Sequence, residues 1–152
     1  MRKPILILLT FIICSAASAQ LIATVEMKEP LAGICDNNHV YGLSSAFKGQ
    51  VEPVCPISKE ELLRRLNTIP FLKDYPKYKD KCIVSFFINC KGKVVKCAMD
   101  NKTHSPELDQ QIIGIFNSIN GDWKAGKLNG QDMDATQLYG ITIKKGTITF
   151  DY

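Results

Sequence analysis

The stretch that decides the fold runs from Lys81 to Gly130 and reads KCIVSFFINCKGKVVKCAMDNKTHSPELDQQIIGIFNSINGDWKAGKLNG. Segments 82–89 and 94–99 show the alternation of apolar and other residues, with a period of two, that is typical of β-strands. Lys91 and Gly92 separate the two segments and favour a turn. The stretch therefore begins with a predicted β-hairpin.

The turn of this hairpin can be built in two ways. A tight turn would place Cys97 and Met99 beside Phe86 and Val84 on one apolar face of the sheet. A three-residue turn with a bulge would slip that register by one residue. The sequence leaves both possibilities open.

A helix is predicted to follow the hairpin. Ser105 is a typical N-cap, and Pro106 suits the first helical position, where its missing amide costs no hydrogen bond. Apolar residues then recur at helical spacing at Leu108, Ile112, Ile115, Phe116 and Ile119. Asn120-Gly121 ends the pattern, and the Trp123 ring that follows is predicted to be buried at the edge of this helix.

Further elements flank this stretch on both sides. Ser58 and Glu61 have the spacing of a capping box, which predicts a helix with Leu62, Leu63, Leu66 and Ile69 on its apolar side. Segments 136–143 and 147–152 are strand-like. The predicted fold is therefore α+β, a small antiparallel sheet with helices packed on one face. We expect its core to contain Val84, Phe86, Ile88, Leu108, Ile112, Phe116 and Trp123.

The order of these motifs resembles the C-terminal domain of TonB. In that family a V-x-F-x-I strand runs into a turn with glycine and a basic residue, and S-P-E-L-D later opens a helix. The matching residues here are Val84, Phe86, Ile88, Lys91, Gly92, Lys93 and Ser105 to Asp109. The family's W-x-P-G-x-x-N-G-x-P turn is matched by Trp123, Gly126, Asn129 and Gly130, with Ala125 and Asp132 where proline is commoner. With Tyr75-Pro76, the resemblance covers roughly residues 73–150.

This resemblance implies a TonB C-terminal-like fold and a protein that binds an extended peptide, such as a segment of an outer-membrane receptor, by strand addition at a sheet edge. In the family that edge lies near the last strands. Carried over to this chain, it comprises Leu138, Tyr139, Ile141, Ile143, Thr147 and Thr149. The segment 147–152 could instead occupy the edge itself and protect the sheet from aggregation.

The first residues predict a cleaved secretory signal. Arg2 and Lys3 are followed by the apolar run 5–13, which is short for a membrane span, and by the small residues Ala17-Ser18-Ala19. The alternatives are an uncleaved anchor helix and a lipoprotein attached through Cys14. A cleaved signal places the mature chain in the periplasm or outside the cell, with no integral membrane segment. We expect three zones: a signal at 1–19, an irregular leader at 20–56 and an α+β domain at 57–152.

The distribution of prolines and the charge of the chain argue against two classes of function, an energy-transducing TonB and a nucleic-acid-binding protein. An energy-transducing TonB needs a retained membrane helix and a proline-rich spacer, and neither is expected here, because the seven prolines are scattered. Loss of Arg2 and Lys3 lowers the formal net charge from +4 to +2. The lysines are spread along the chain without the aromatic-rich basic patch of nucleic-acid binders, so no nucleic acid is expected.

Five cysteines remain after signal cleavage, so at least one thiol stays free or pairs between chains. Cys82 and Cys90 lie too far apart along one strand to form a disulfide, and a Cys90–Cys97 pair would strain the hairpin ladder. The favoured pair is Cys35 with Cys55. It would tether the leader to the rest of the chain.

Catalytic and metal-binding patterns are sparse. Cys35 and His39 could form a thiol dyad, and Cys35, His39 and Cys55 a zinc site, but neither has a specific spacing. No phosphate-binding loop is present, and no cofactor is expected. We therefore expect an interaction module rather than an enzyme. A small secreted thiol enzyme and a cell-wall-associated structural domain are the alternatives.

Overall fold

A computed structural model of the chain describes residues 21–27, 29–36 and 39–151. The predicted signal at 1–19 lies outside these residues. Three helices occur in the described part: α1 (Lys59–Leu66), α2 (Pro70–Asp74) and α3 (Pro106–Asn117). Its strands are β1 (Ala23–Val25), β2 (Val40–Gly42), β3 (Gln50–Val51), β4 (Lys79–Ile88), β5 (Val94–Asn101), β6 (Gly126–Leu128), β7 (Gln131–Met133), β8 (Ala135–Lys144) and β9 (Thr147–Phe150).

The main sheet confirms the predicted α+β class. Its strand order is β1-β2-β8-β4-β5, and β9 pairs with β8 as well. The long strands β4, β5 and β8 and the closing strand β9 all pair antiparallel. The prediction of a purely antiparallel sheet is wrong at one place, where β2 pairs parallel to β8 through Tyr41 and Ala135.

The sequence predicts an irregular leader at 20–56. The described part of this segment instead contains three short strands. It contributes β1 and β2 to the main sheet, while β3 joins β6 and β7 in a second, three-stranded sheet. These strands are only two or three residues long. Strands this short cannot show the alternation from which a strand is predicted, so the sequence has few periodic signals here.

The hairpin combines both alternatives that the sequence left open. Its turn is the three-residue type, in which Asn89 N–H donates to Lys93 O and Gly92, with φ of 73°, accepts the left-handed backbone. A side chain at Gly92 would also collide with the backbone oxygen of Trp123. A bulge then follows, because Ile88 pairs with Val94 but Phe87 pairs with Lys96. The extra residue in this bulge compensates for the extra residue in the turn.

This compensation restores the register of the tight turn. Phe86 lies opposite Cys97, and Val84 lies opposite Met99. All four side chains therefore share the face of the sheet that the helices cover.

The helices start at the predicted caps. The Ser58 hydroxyl accepts from Glu61 N–H, and the Ser105 hydroxyl accepts from Leu108 N–H. The capping box at Ser58 differs from the prediction in one respect, because the Glu61 carboxylate binds the guanidinium groups of Arg64 and Arg65. The arginines compete successfully for this carboxylate because they lie three and four residues further along the same helix.

Phe86 occupies the centre of the buried core. Its ring centroid lies 4.8 Å from that of Trp123, 5.5 Å from that of Phe116 and 6.0 Å from that of Tyr139. One buried cluster contains every residue of the predicted core, namely Val84, Phe86, Ile88, Leu108, Ile112, Phe116 and Trp123. The hairpin, α3 and the Trp123 segment thus meet around one ring.

The disulfide differs from the predicted one. Cys35 bonds to Cys90, while Cys55, Cys82 and Cys97 are free thiols. Cys90 lies in the hairpin turn, outside the strand ladder, so its side chain can reach the N-terminal segment. The ring spans a separation of 55 residues, which corresponds to roughly 4 kcal/mol in the chain-entropy model. The pairing Cys35–Cys55 is therefore wrong, although the N-terminal segment is tethered as expected.

Among the described residues, no helix combines the length and the apolar character that crossing a bilayer requires.

We expect Trp123→Ala to lower the free energy of unfolding by about 3 to 5 kcal/mol, because the buried indole ring would leave a cavity beside Phe86. Urea denaturation followed by circular dichroism measures this difference. Phe47→Ala is the matched control, since Phe47 is an exposed aromatic residue, and it should change the stability by less than about 1 kcal/mol. Equal losses in the two variants would contradict this account of the core.

Candidate functional site

A partner strand can add only where a sheet edge has free backbone groups. The direction of these groups follows from one hydrogen bond, in which Asp151 N–H donates to Gly140 O on the side of β8 that faces β9. Backbone groups alternate between the two edges of a strand. Consequently the even-numbered residues of β8 face β9, and the odd-numbered residues face β4.

The outer edge of β9 is closed by a side chain from a helix. Thr147 and Thr149 direct their backbone groups to β8, so Ile148 directs its own outward. The Asn67 amide satisfies both groups: its Nδ2 donates to Ile148 O at 3.1 Å, and Ile148 N donates to its Oδ1 at 2.8 Å. The side chain at the end of α1 thus makes the two hydrogen bonds that a neighbouring strand would make, and it blocks strand addition there.

The free edge of β8 is limited to a short window. β2 pairs at Ala135, β9 pairs from Ile141 onward, and Asp151 N–H already occupies Gly140 O. Thr136 to Tyr139 lie between them, beside a cavity of about 300 Å³. The Leu138 side chain is 44% exposed, and its backbone carbonyl accepts from the Gln137 side chain. Strands at both ends of this window restrict the length of any added segment.

The six residues predicted to bind a partner therefore fall into three groups. Leu138 and Tyr139 lie in the window of β8. Ile141 and Ile143 are buried in the core, and their strand is paired on both sides by β4 and β9. Thr147 and Thr149 belong to β9 itself. The segment that the sequence considered as a cover does occupy the edge, so a strand cannot be added along the whole predicted site.

The outer edge of β5 has free backbone groups next to a groove. Phe87 pairs with Lys96, and Ser85 pairs with Ala98, so the backbone groups of Cys97 and Met99 point away from β4. In the described part of the chain, no other strand pairs with this side of β5. Bulges at Val95 and Asp100 bracket the open stretch.

An apolar groove of about 520 Å³ runs between this rim and α3. Cys97, Met99, Pro106 and Ile113 provide most of its apolar lining, and Lys102 and His104 lie at one end. The volume is in the range of pockets that hold small ligands or peptide side chains. α3 forms the opposite wall of the groove through Pro106, Asp109, Gln110 and Ile113.

A carboxylate fixes that end of the groove. Asp80, whose side chain is only 9% exposed, accepts hydrogen bonds from the Tyr78 hydroxyl and from the backbone amide and ring of His104. Burial acts to raise the pKa of the Asp80 carboxyl, but these hydrogen bonds outweigh it and lower the pKa to about 2. The ionised carboxylate thereby joins the start of β4 to the loop that precedes α3.

The thiols of Cys82 and Cys97 are not activated nucleophiles. Burial raises the pKa of the Cys97 thiol, which lines the groove, to about 11, and that of the Cys82 thiol to about 12. Cys35 is held in its disulfide, and the His39 ring pairs with the Asp36 carboxylate at 3.1 Å. The Cys35–His39 dyad that the sequence allowed therefore lacks its thiol.

Asp134 binds the backbone at both cysteines of the disulfide. Its buried carboxylate accepts from the backbone amides of Cys35, Asp36 and Cys90 at 2.7–3.0 Å. The Cys35 and Cys90 sulfurs and this carboxylate lie within 4.8 Å of one another, but the sulfurs are bonded to each other. The zinc site considered from the sequence used Cys55 instead, and Cys55 does not belong to this group.

Sequence reasoning missed Asn67 and Asp134. Each acts through hydrogen bonds to backbone groups that are far away along the chain, 81 and 44 to 99 residues distant. Asn67 carried a weak signal as a polar residue just after an amphipathic helix, and Asp134 carried one as an acidic residue before a strand. Neither signal identifies the distant partner.

We expect Asn67→Ala to lower the free energy of unfolding by about 1 to 3 kcal/mol, because it leaves both backbone groups of the buried Ile148 without hydrogen bonds. Urea denaturation measures the loss. Asn117→Ala, at the exposed last turn of α3, is the control and should change stability by less than about 0.5 kcal/mol. A loss no larger than that of the control would show that β9 does not need this closure.

The Asp80 carboxyl predicts acid sensitivity. Because its pKa is lower in the folded chain than in the unfolded one, its contribution is complete above about pH 4 and disappears as the pH falls toward 2. Between about pH 4 and pH 2, we expect the free energy of unfolding of Asp80→Asn to fall by about 1 to 2 kcal/mol less than that of the unchanged chain. Chemical denaturation at several pH values tests this, with Asp122→Asn as the exposed control. Parallel pH curves for Asp80→Asn and the unchanged chain would contradict it.

Comparison of the chain with models of protein families, with curated proteins and with solved structures finds no match in any of the three. The resemblance to the TonB C-terminal domain therefore rests on the sequence motifs alone.

Proposed function

We propose that this chain is a periplasmic or secreted protein-interaction module that binds an extended peptide by strand addition. The observation that carries the proposal is the open rim of β5 beside the groove against α3. Cys97 and Met99 each offer an N–H and a C=O, so a peptide can make up to four main-chain hydrogen bonds. The signal-like first residues and the TonB-like motifs support the compartment and the mode of binding.

The groove indicates what the peptide should contain. Alternate side chains of an added strand point to opposite faces of the sheet. One set would enter the groove, where Met99, Pro106 and Ile113 provide an apolar lining. The opposite set would point to the other side of the sheet, away from the groove. The preferred peptide therefore carries apolar residues at every second position, and a segment of an outer-membrane receptor is one partner of this kind.

The proposal moves the binding edge from the last strands to β5. Strand addition near the C-terminus is the mode that the family resemblance implies, but β9 and the Asn67 amide occupy most of that edge here. The rim of β5 has the same chemistry without an occupant in the described structure. Because its flanking bulges bend the strand, the rim suits a short segment better than a second long strand.

Selection of binders from a displayed library of random peptides, followed by calorimetry, tests this function. We expect the selected peptides to alternate apolar residues and to lose roughly tenfold in affinity against Met99→Pro, which removes one outward amide from the rim. Val94→Pro is the matched control, since it alters the same edge strand outside the groove. Ile113→Ser should weaken binding as well, through the groove lining alone.

Two results would contradict the assignment. Failure to select any peptide would count against the interaction module itself. Peptides that tolerate Met99→Pro but lose affinity when Leu138 is changed to arginine would place binding in the window of β8 instead.

A further inference from the structure

In the described part of the chain, all three helices lie on one face of the main sheet and the other face carries none. The side chains of Val84, Phe86, Tyr139 and Ile141 point to the helices, so their neighbours along each strand point the other way. This uncovered face is formed by the odd-numbered residues of β4 from 79 to 87, the even-numbered residues of β8 from 136 to 144, and residues 96 and 98 of β5.

Lysines concentrate at one end of the uncovered face. Lys79 lies directly opposite Lys144 in the β4–β8 register, and Lys81 follows two residues along β4. All three are exposed, and the ion pairs found among the described residues include none of them. Like charges placed opposite each other across two strands destabilise a sheet. The fold therefore keeps this cluster at a cost to its own stability.

The nearby carboxylates offset only part of the charge of the three lysines. Asp80 points to the helix side of the sheet and is engaged by Tyr78 and His104. The Asp151 carboxylate accepts from the Thr142 hydroxyl, and Asp100, further along the face, accepts from Ser85. The end of the sheet at Lys79 is thus a basic surface with hydroxyl-bearing threonines around it.

Apolar side chains occupy the middle of the same face. Leu138 is 44% exposed, and the half-buried Phe87 ring lies under the Lys96 ammonium group at 5.6 Å. Ile83 lies between these residues and the lysine cluster. A flat face with an apolar centre and a basic end is complementary to a surface that is negatively charged outside and apolar beneath.

We propose that the uncovered sheet face docks on a membrane surface that contains anionic lipids, with Lys79, Lys81 and Lys144 contacting the phosphate groups and Leu138 contacting the interface. This surface is opposite the helix side of the sheet, where the peptide groove lies. Membrane docking and peptide binding would therefore be separate activities. Docking would hold the described part of the chain beside a membrane.

Sedimentation of the protein with lipid vesicles tests this inference. We expect binding to vesicles of phosphatidylcholine mixed with phosphatidylglycerol, and much weaker binding to vesicles of phosphatidylcholine alone. Each lysine near such a surface contributes roughly fivefold to binding, so Lys79→Glu with Lys144→Glu should reduce the affinity at least roughly 25-fold. Binding should also weaken as salt is raised.

A second double variant, Lys73→Glu with Lys124→Glu, is the control because it makes the same change in net charge at exposed residues away from this face. It should retain most of the binding. The single variant Lys144→Glu gives an independent readout, since a glutamate opposite Lys79 should raise the thermal midpoint while weakening vesicle binding.

Several outcomes would overturn the proposal. These are equal binding to neutral vesicles, equal loss in the two double variants, and full binding by Lys79→Glu with Lys144→Glu. Release of the protein from anionic vesicles by inorganic phosphate at matched ionic strength would assign the cluster to free phosphate instead. A lack of binding to both kinds of vesicle would also overturn the proposal. The ligand of the lysine cluster would then have to be a soluble polyanion.

Discussion

The packing of Phe86 against Phe116 and Trp123 is the interaction on which the rest of the structure depends. It joins three pieces of chain that have no local reason to meet: the hairpin, α3 and the segment after α3. Each piece is weak alone, since a two-stranded hairpin and a 12-residue helix are both marginal in water. Once they share one interior, β8 can pair along the whole of β4, and the sheet has a covered face and an uncovered one.

The sheet edges follow from that arrangement. β8 is central, so its far edge has to accommodate both β2 and β9, and each covers only part of it. The chain closes the exposed rim of β9 with the Asn67 amide and interrupts β5 with two bulges. These are the devices by which β-proteins avoid uncontrolled pairing between molecules. The short stretch between the bulges keeps outward backbone groups that no other described strand pairs with.

The sequence predicted the parts of this fold that depend on local patterns. The strands β4 and β8, the caps Ser58 and Ser105, and the apolar stripe of α3 all have short-range signals. The sequence did not predict the bulge at Val95. The position of this bulge depends on how the side chains of the sheet pack against the helices, and the turn residues do not determine it. It also missed the Cys35–Cys90 pair. Geometry along one strand could exclude partners of Cys90 within the hairpin, but it could not show that residues 33–36 cross the hairpin tip.

The candidate site was less predictable than the fold. Strand addition stays a prediction, and identifying a free edge requires knowing which strands end the sheet, where three short strands carried no pattern. Asn67 illustrates the limit, because its role depends on a strand 81 residues away. The groove depends in turn on the angle at which α3 returns over β5, and loop residues 102–105 do not specify that angle.

The Asp134 carboxylate has a consequence for oxidation of the chain in an environment where several thiols compete. It accepts hydrogen bonds from the main-chain amides of both Cys35 and Cys90, and these hydrogen bonds use no sulfur atom. The same contacts can therefore form before the sulfurs are joined. We expect them to favour the pairing of Cys35 with Cys90 over pairing with Cys55, Cys82 or Cys97.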